Sequence, residues 1–382
     1  MKTKGLILIF LASIAFGACR KQSTAKDSPA NRNAGPAPET PIGGTAPAGE
    51  KFFLRGTIAG NLSIEMILLR DGDRVTGTYM YPRVGKDISL SGTIDKDGNV
   101  TLTESDETGK QTGMFKGKWQ SASDSPDPNL KEIEGKWSRP DGSKETEFLV
   151  SQQPIEFTGT VKILPKVIKD TDKEKRYTVN AEYPQIDGDA RFEGFNREAR
   201  NLISKDVSAF KTAETSDDAE AVADSAPETH STLDAGYDFR FATDDLISIE
   251  WNEGTYSRGA AHGNSVTQVL NYDLKKAKKL ALADLFVDKS KYLTVIANYC
   301  MKELKERAKK EDSAIFADQI ETGAGPRADN YRAVAITKRG LWITFDPYQV
   351  AAYAAGPQYI LVPYAALKDI IRPDGPLANL GK

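Results

Sequence analysis

Leu246-Ile247-Ser248-Ile249-Glu250-Trp251 reads as a strand, and soon after it comes Tyr256-Ser257-Arg258-Gly259-Ala260-Ala261-His262-Gly263, a small-residue loop carrying one of only 2 histidines in 382 residues. Strand-like runs flank this pair, Asp234 to Phe241 before it and Ser265 to Asp273 after it. Further upstream, Phe195, Ala199, Leu202, Ile203 and Phe210 recur at helical spacing, which predicts a helix from about Ala190 to Lys211 with Asp189 as its cap. Phe157 to Leu164 and Tyr177 to Tyr183 are predicted as paired strands ahead of that helix. Downstream, Leu280 to Phe286 reads as a helical turn, and Tyr292, Ile296, Cys300, Met301 and Leu304 mark a second amphipathic helix reaching about Lys309. The polar, Gly-containing stretch Glu311 to Asn330 is predicted as a loop. Arg332 to Thr337 and Leu341 to Phe345 then form a hairpin across Lys338-Arg339-Gly340, Gln358 to Val362 a last strand, and Tyr364 to Ile371 a closing helix. Strands and helices segregate without regular alternation. The expectation is an α+β domain over 154–375, with a mainly antiparallel sheet and two long helices, either whole or as subdomains 154–230 and 231–375.

The region 51–150 has a different texture. Short strands are expected at Gly56-Thr57-Ile58, Ile64 to Leu69, Val75 to Tyr81, Ile88 to Ile94 and Val100 to Glu104. Asp71-Gly72, Asp97-Gly98-Asn99 and Asp141-Gly142 accept positive φ and close tight hairpins between such strands. Gly-Thr-Ile recurs at 56 and 92, and Gly-Lys-Trp at 117 and 135. An all-β antiparallel meander of seven or eight strands follows, curled into a small barrel or sandwich. A Gly-x-Trp pair is shared with lipocalin-like ligand barrels, yet a plain structural β-domain is the expected role.

Composition narrows the function classes. With 39% hydrophobic and 27% charged residues the chain reads as ordinary globular protein. The formal net charge is -3, and no basic face exists to neutralise phosphates, so nucleic acid is not an expected partner. Lys2 and Lys4, the apolar run Leu6 to Phe16 and the small residues before Cys19 predict an export signal over 1–18, too short to span a bilayer. Without it 49 basic residues face 54 acidic ones. Gly17-Ala18-Cys19 looks like a bacterial lipobox, so Cys19 is the expected lipidation site and the membrane a partner through that lipid. Residues 19–50 are rich in Pro, Ala, Gly, Ser and Thr and read as a flexible tether. Cys300 is the only other cysteine; it falls on an apolar helical face and is expected to be a small buried hydrophobe.

Few residues are placed for chemistry. His230 lies in an acidic stretch, 212–231, that holds six acids without the ordered spacing of a calcium loop. No H-E-x-x-H pair and no G-x-S-x-G turn is present, and Thr344-Phe345-Asp346-Pro347 lacks the second acid of a deacetylase Thr-Phe-Asp-Asp-Gly motif. No cofactor, metal site or catalytic residue is expected. The ligand-binding candidates are Tyr256, Arg258, Gly259, His262, Asp346, Tyr348 and Tyr353, with Tyr359 and Tyr364 continuing the tyrosine strip. For His262 the alternative is a purely structural tie between loop and sheet, and for the tyrosines a core role.

Tyr256 to Gly263, Asn271-Tyr272-Asp273-Leu274 with Leu282-Ala283-Asp284-Leu285-Phe286, and Phe345 to Gly356 followed by Val362-Pro363-Tyr364 together resemble a known domain. It is the C-terminal domain shared by RsiV-type anti-sigma factors and the non-catalytic region of PdaC-type peptidoglycan deacetylases. The resemblance runs from roughly Ile155 to Asp374, and Ala260 departs from the Gly-Gly-Ala-His form of the loop. It implies an extracytoplasmic, envelope-associated domain, which in RsiV binds lysozyme. No transmembrane helix, sigma-binding segment or deacetylase domain is read beside it. A non-enzymatic lipoprotein binding a lysozyme-like protein or a cell-wall glycan is therefore expected, on the outer membrane if the host has two, since Arg20 rather than Asp follows Cys19. An envelope hydrolase or other enzyme using His262 with Asp346 or a nearby carboxylate, and a structural assembly lipoprotein, are the alternatives.

Overall fold

Eight consecutive strands, β1 (Glu50–Ile58), β2 (Leu62–Asp71), β3 (Arg74–Met80), β4 (Asp87–Ile94), β5 (Asn99–Ser105), β6 (Gln111–Ser121), β7 (Lys131–Ser138) and β8 (Thr146–Gln153), pair antiparallel in chain order in a computed structural model of the protein. The ladder closes on itself because β8 also pairs with β1, Val150 opposite Gly56. Closure removes both sheet edges, which an open meander would leave unpaired. The two Gly-Lys-Trp segments lie side by side, with Gly117 opposite Gly135 across β6 and β7. Phe115 fills the interior edge-on to Tyr79 and Phe148, at 5.3 and 5.0 Å between ring centres. A buried carboxylate, Glu104, accepts from Tyr79 Oη at 2.7 Å, Trp137 Nε1 at 2.8 Å and Thr112 Oγ1 at 2.6 Å. A side-chain core thus occupies the barrel interior.

The described residues are 49–82, 84–122, 129–159, 161–214, 230–310 and 313–380. The predicted signal segment, Cys19, its tether up to residue 48 and most of the acidic stretch 212–231 lie outside them.

After the barrel come β9 (Ile155–Glu156), β10 (Lys162–Asp172), β11 (Tyr177–Asp187), helix α1 (Glu193–Glu214), β12 (Ser231–Thr243), β13 (Leu246–Tyr256), β14 (Asn264–Asp273) and β15 (Lys278–Lys279). The expected strand at Phe157 starts later, at Lys162: Thr158 gives its N–H to Asp244 at 3.1 Å instead of to a ladder, and Phe157 drops into the core against Phe192. Asp189 caps the entry to the helix by accepting from Arg191 N, as predicted. The sheet order is β10-β11-β12-β13-β14-β15, with β9 also on β12. Most pairs are antiparallel, but β11–β12 and β9–β12 are parallel. Helix α1 is the crossover that a parallel β11–β12 pair requires. Strands from both 154–230 and 231–375 belong to this one sheet, through the β11–β12 pair, and to one core.

The C-terminal part adds α2 (Tyr292–Ala308), α3 (Ala317–Ala324), β16 (Val334–Ile336), β17 (Gly340–Phe345), β18 (Gln358–Pro363) and α4 (Tyr364–Leu367). The structure has the expected α+β class, an antiparallel barrel followed by a mainly antiparallel sheet and two long helices, and four details are added to it. The sheet is not single, because β16-β17-β18 form a second, three-stranded one. The two long helices do not back the same sheet: α1 covers the large sheet with Phe195, Ala199 and Ile203, whereas α2 packs Ile296, Ala297, Cys300 and Leu304 into the core of the small one. The predicted loop 311–330 contains α3, whose buried residues are only Ile320, Gly323 and Ala324, too small a face to show a period. The closing helix is also short, ending at Leu367.

β13 lies between the two cores. Ile247, Ile249 and Trp251 point under α1, while Leu246, Ser248 and Glu250 face the small sheet. Ser248 Oγ receives the Ile336 N–H at 2.8 Å, and Trp251 Nε1 donates to the Glu182 carbonyl at 3.0 Å.

Candidate functional site

The loop after β13 turns tightly, with Ala260 N donating to Ser257 O at 2.9 Å and Gly259 at φ 79°, a left-handed value open to glycine. Tyr256 Oη braces it by donating to Ala260 O at 3.0 Å. This delivers His262 to the surface beside the segment that follows β17. Its ring stacks on Tyr353 at 4.2 Å and 28°, and Tyr353 stacks in turn on Tyr348 at 5.3 Å and 29°. Hydrogen bonds hold the ladder: Tyr353 Oη donates to Gly263 O at 2.7 Å, and His262 Nδ1 lies 2.7 Å from the same carbonyl. A carbonyl only accepts, so Nδ1 carries the proton and Nε2 accepts from Tyr348 Oη at 3.3 Å.

Tyr348 is the unusual member. It is 56% exposed and has φ 70°, a left-handed conformation that a bulky side chain rarely adopts. The backbone around it is clamped by Gln349, whose Oε1 accepts from Asp346 N at 3.2 Å and whose Nε2 donates to Gly323 O at 2.9 Å and Asn330 O at 3.0 Å. Nothing in the sequence marked this conformation.

The other candidates go elsewhere. Arg258 bonds to Ser231 Oγ through its N–H and to Lys175 O through Nη1, so it ties the loop to β12 and the β10–β11 turn. Asp346 Oδ1 accepts from the Thr267 N–H of β14 at 3.0 Å. Burial raises the Asp346 carboxyl above its ordinary value, opposed by Thr267 and by the charge of Arg332. Among the described residues, no carboxylate hydrogen-bonds to His262. Tyr359 stacks on Trp342 at 5.2 Å, and Tyr364 is a core residue donating to Thr337 O at 2.6 Å. Cys300 is fully buried, and burial pushes its thiol up to about 12.

Close to the loop on β13, buried Glu253 meets Asp206 of α1. Among the described residues no hydrogen bond reaches Glu253 Oε1 or Asp206 Oδ2. Burial first, and then Asp206, hold the Glu253 carboxyl well above the ordinary carboxylate range. An acid raised on folding contributes its stability in full below its unfolded value and loses it as pH rises through the folded one. The chain is therefore expected to melt at a higher temperature in mildly acidic than in mildly alkaline buffer, the pair accounting for a few kcal/mol on the order-of-magnitude scale of such linkage. Glu253→Gln should flatten that dependence in circular-dichroism melts, and an unchanged slope would count against the pair.

Two family models match the α+β part. Residues 171–265 match "Deacetylase PdaC", and residues 283–365 match "Protein of unknown function (DUF3298)". This part has a PdaC-like domain arrangement. The peptidoglycan-N-acetylmuramic acid deacetylase PdaC of Bacillus subtilis (strain 168) is 34% identical over 126 residues, 33% of this chain and 26% of that protein. The chain thus spans about a quarter of the length of that curated relative. Two solved DUF3298-family structures are also similar, both at a TM-score of 0.38. One, from Bacteroides fragilis, is 16% identical and covers 56% of this chain and 95% of its own. The other, from Pseudomonas aeruginosa, is 19% identical and covers 56% and 94%. The PdaC-like segment supplies His262 and the DUF3298 segment supplies Tyr348 and Tyr353, so the ring ladder joins the two matched segments.

Proposed function

We propose that the protein is a non-enzymatic lipoprotein of the bacterial cell envelope, anchored through Cys19, whose ring ladder binds a peptidoglycan-related glycan or a lysozyme-like protein. The observation that carries this reading is the stack His262–Tyr353–Tyr348 at the surface, with Tyr348 held in a left-handed conformation that leaves it more than half exposed. Aromatic faces flanked by hydrogen-bonding edges suit both sugar stacking and protein hot spots. The likeness to a peptidoglycan deacetylase supports the choice of cell-wall ligand. Binding is favoured over proton transfer because Asp346 is engaged by Thr267 and His262 by Gly263 and Tyr348.

The test is calorimetric titration of the full chain in detergent with muropeptides and, separately, with lysozyme. His262→Ala and Tyr348→Ala should each weaken binding by about 2 kcal/mol, as truncated hot spots do. Both residues are exposed, so melting temperature should hold. Unaltered affinity in both variants, or a large fall in melting temperature, would sink the assignment.

A further inference from the structure

A cavity lies away from the ladder, at the seam between the outer wall of the barrel and the large sheet. Its volume is about 250 Å³, and Phe53 and Met80 of the barrel face Ile163 and Phe239 across it. It is larger than the apolar cavity of ~150 Å³ that admits benzene in an engineered protein. Seams between packed units are also where small-molecule sites concentrate.

One wall is polar. Arg55 of β1 reaches over the seam, its guanidinium 4.0 Å from the centre of the Tyr237 ring, and bonds to the Tyr237 carbonyl and the Glu182 carboxylate. That engagement leaves little of Arg55 for Glu65, which lies 3.9 Å from its Nε. Tyr237 Oη also donates to Glu65, at a long 3.5 Å. A carboxylate can accept about four hydrogen bonds, so Glu65 is under-used where it lines the cavity. Two carboxylates share one guanidinium, and Asp238 adds its field nearby. With Glu65 ionised, this wall is therefore rich in acceptors and carries an excess of negative charge.

We propose that this seam cavity binds a small amphipathic amine, its apolar body among Phe53, Met80, Ile163 and Phe239 and its ammonium head on Glu65. A carboxylate-headed amphiphile of the same size would meet like charge at Glu65, and the ammonium of Lys162 elsewhere in the lining is already paired with Asp87. Burial holds the Glu65 carboxyl up to about 7, opposed by the charge of Arg55 on β1 and reinforced by Glu182 on β11, and the other charged side chains of the lining, Lys162 on β10 and Asp87 on β4, pair with each other at 3.5 Å. The bound amine would restore the ionised form. Because both the barrel and the sheet line the cavity, occupancy would also fasten one to the other.

The experiment uses the full chain with methyl-labelled methionine and titrates n-hexylamine, with hexanoate and hexanol as controls, in buffer on the alkaline side of the Glu65 value. The expected result is a saturable shift of the Met80 methyl resonance with hexylamine, at least ten-fold weaker with hexanol and absent with hexanoate. Glu65→Gln should weaken hexylamine at least ten-fold, and Ile163→Trp, which takes up part of the apolar end of the cavity, should weaken it as well. The wild-type resonance reports on the cavity even where a variant fails to fold. A Met80 resonance unmoved by all three probes overturns the site, and equal affinity for hexylamine and hexanoate overturns the ligand class.

Discussion

Arg240→Met is expected to destabilise the folded chain by about 3–5 kcal/mol, the range found when one partner of a buried ion pair is removed. Glu250 has 0% exposure on β13, sandwiched between the large and small sheets. Its Oε1 lies 2.7 Å from Arg240 Nη2, and its Oε2 accepts from Thr344 Oγ1 of β17 at 3.2 Å. The β12–β13 register shifts between Phe239 and Phe241, which leaves Arg240 as the extra residue of a bulge. That bulge breaks the alternation of β12: Phe239 belongs to the core under α1, while Phe241 belongs to the core of the small sheet. Arg240 thereby meets Glu250, and its guanidinium also lies 5.6 Å from the Trp342 ring. Losing it leaves a carboxylate deep in the protein with one hydroxyl for company. The double variant Arg240→Met with Glu250→Leu should recover most of the loss, because replacing a whole buried pair by apolar groups is often neutral. Urea denaturation of the two single variants and the double one measures this cycle. A single-variant cost below about 1 kcal/mol would mean that the pair behaves as a surface pair.

Gly323→Ala is the second large effect, and it should be felt at the ring ladder. A β-carbon at position 323 would stand 1.8 Å from the Gln349 carbonyl oxygen, 2.7 Å from its carbon and 3.0 Å from Val350 Cγ1. The obstacle is mostly backbone, so α3 and the Asp346–Val350 segment must separate. Overpacking of this kind costs about 1–3 kcal/mol, occasionally more. Separation also breaks the bond from Gln349 Nε2 to Gly323 O, one of the clamps beside Tyr348. The expected outcome is a lower melting temperature together with weaker binding of the ligand that the ladder recognises, though residue 323 carries no side chain to touch it. A melting temperature lowered with affinity intact would show that the conformation of Tyr348 does not depend on α3.

Much of the fold was legible from local pattern. The Asp-Gly turns and short alternating runs announce an antiparallel β-domain, because a hairpin needs only adjacent residues to form. Helix α1 showed in the spacing of Phe195, Ala199 and Ile203 and in the Asp189 cap, both of which act within a few turns of chain. Helix α3 was hidden, since its packing relies on the smallness of Gly323 and Ala324 against another backbone and leaves no apolar stripe. The alternation Ile247-Ser248-Ile249-Glu250-Trp251 suggests a strand with one wet face. Both of its faces are dry, since Ser248 and Glu250 find partners on β14, β12 and the small sheet.

His262, Tyr348 and Tyr353 stood out in the sequence as polar aromatic residues in small-residue or proline-containing loops, but so did Arg258 and Asp346. Loop composition says which side chains are available and cannot say which way they turn. By itself the sequence determined the elements that form from neighbours in the chain: the hairpins, α1, α2 and the loop that carries His262. The tertiary structure decided barrel closure through β1 and β8, the parallel pairs made by a crossover, the second sheet and the meeting of His262 with rings some 90 residues away. Each of these depends on contacts between segments far apart in the chain, whose pairing is set by complementary shape and satisfied hydrogen bonds after the chain has collapsed, and no local pattern records it.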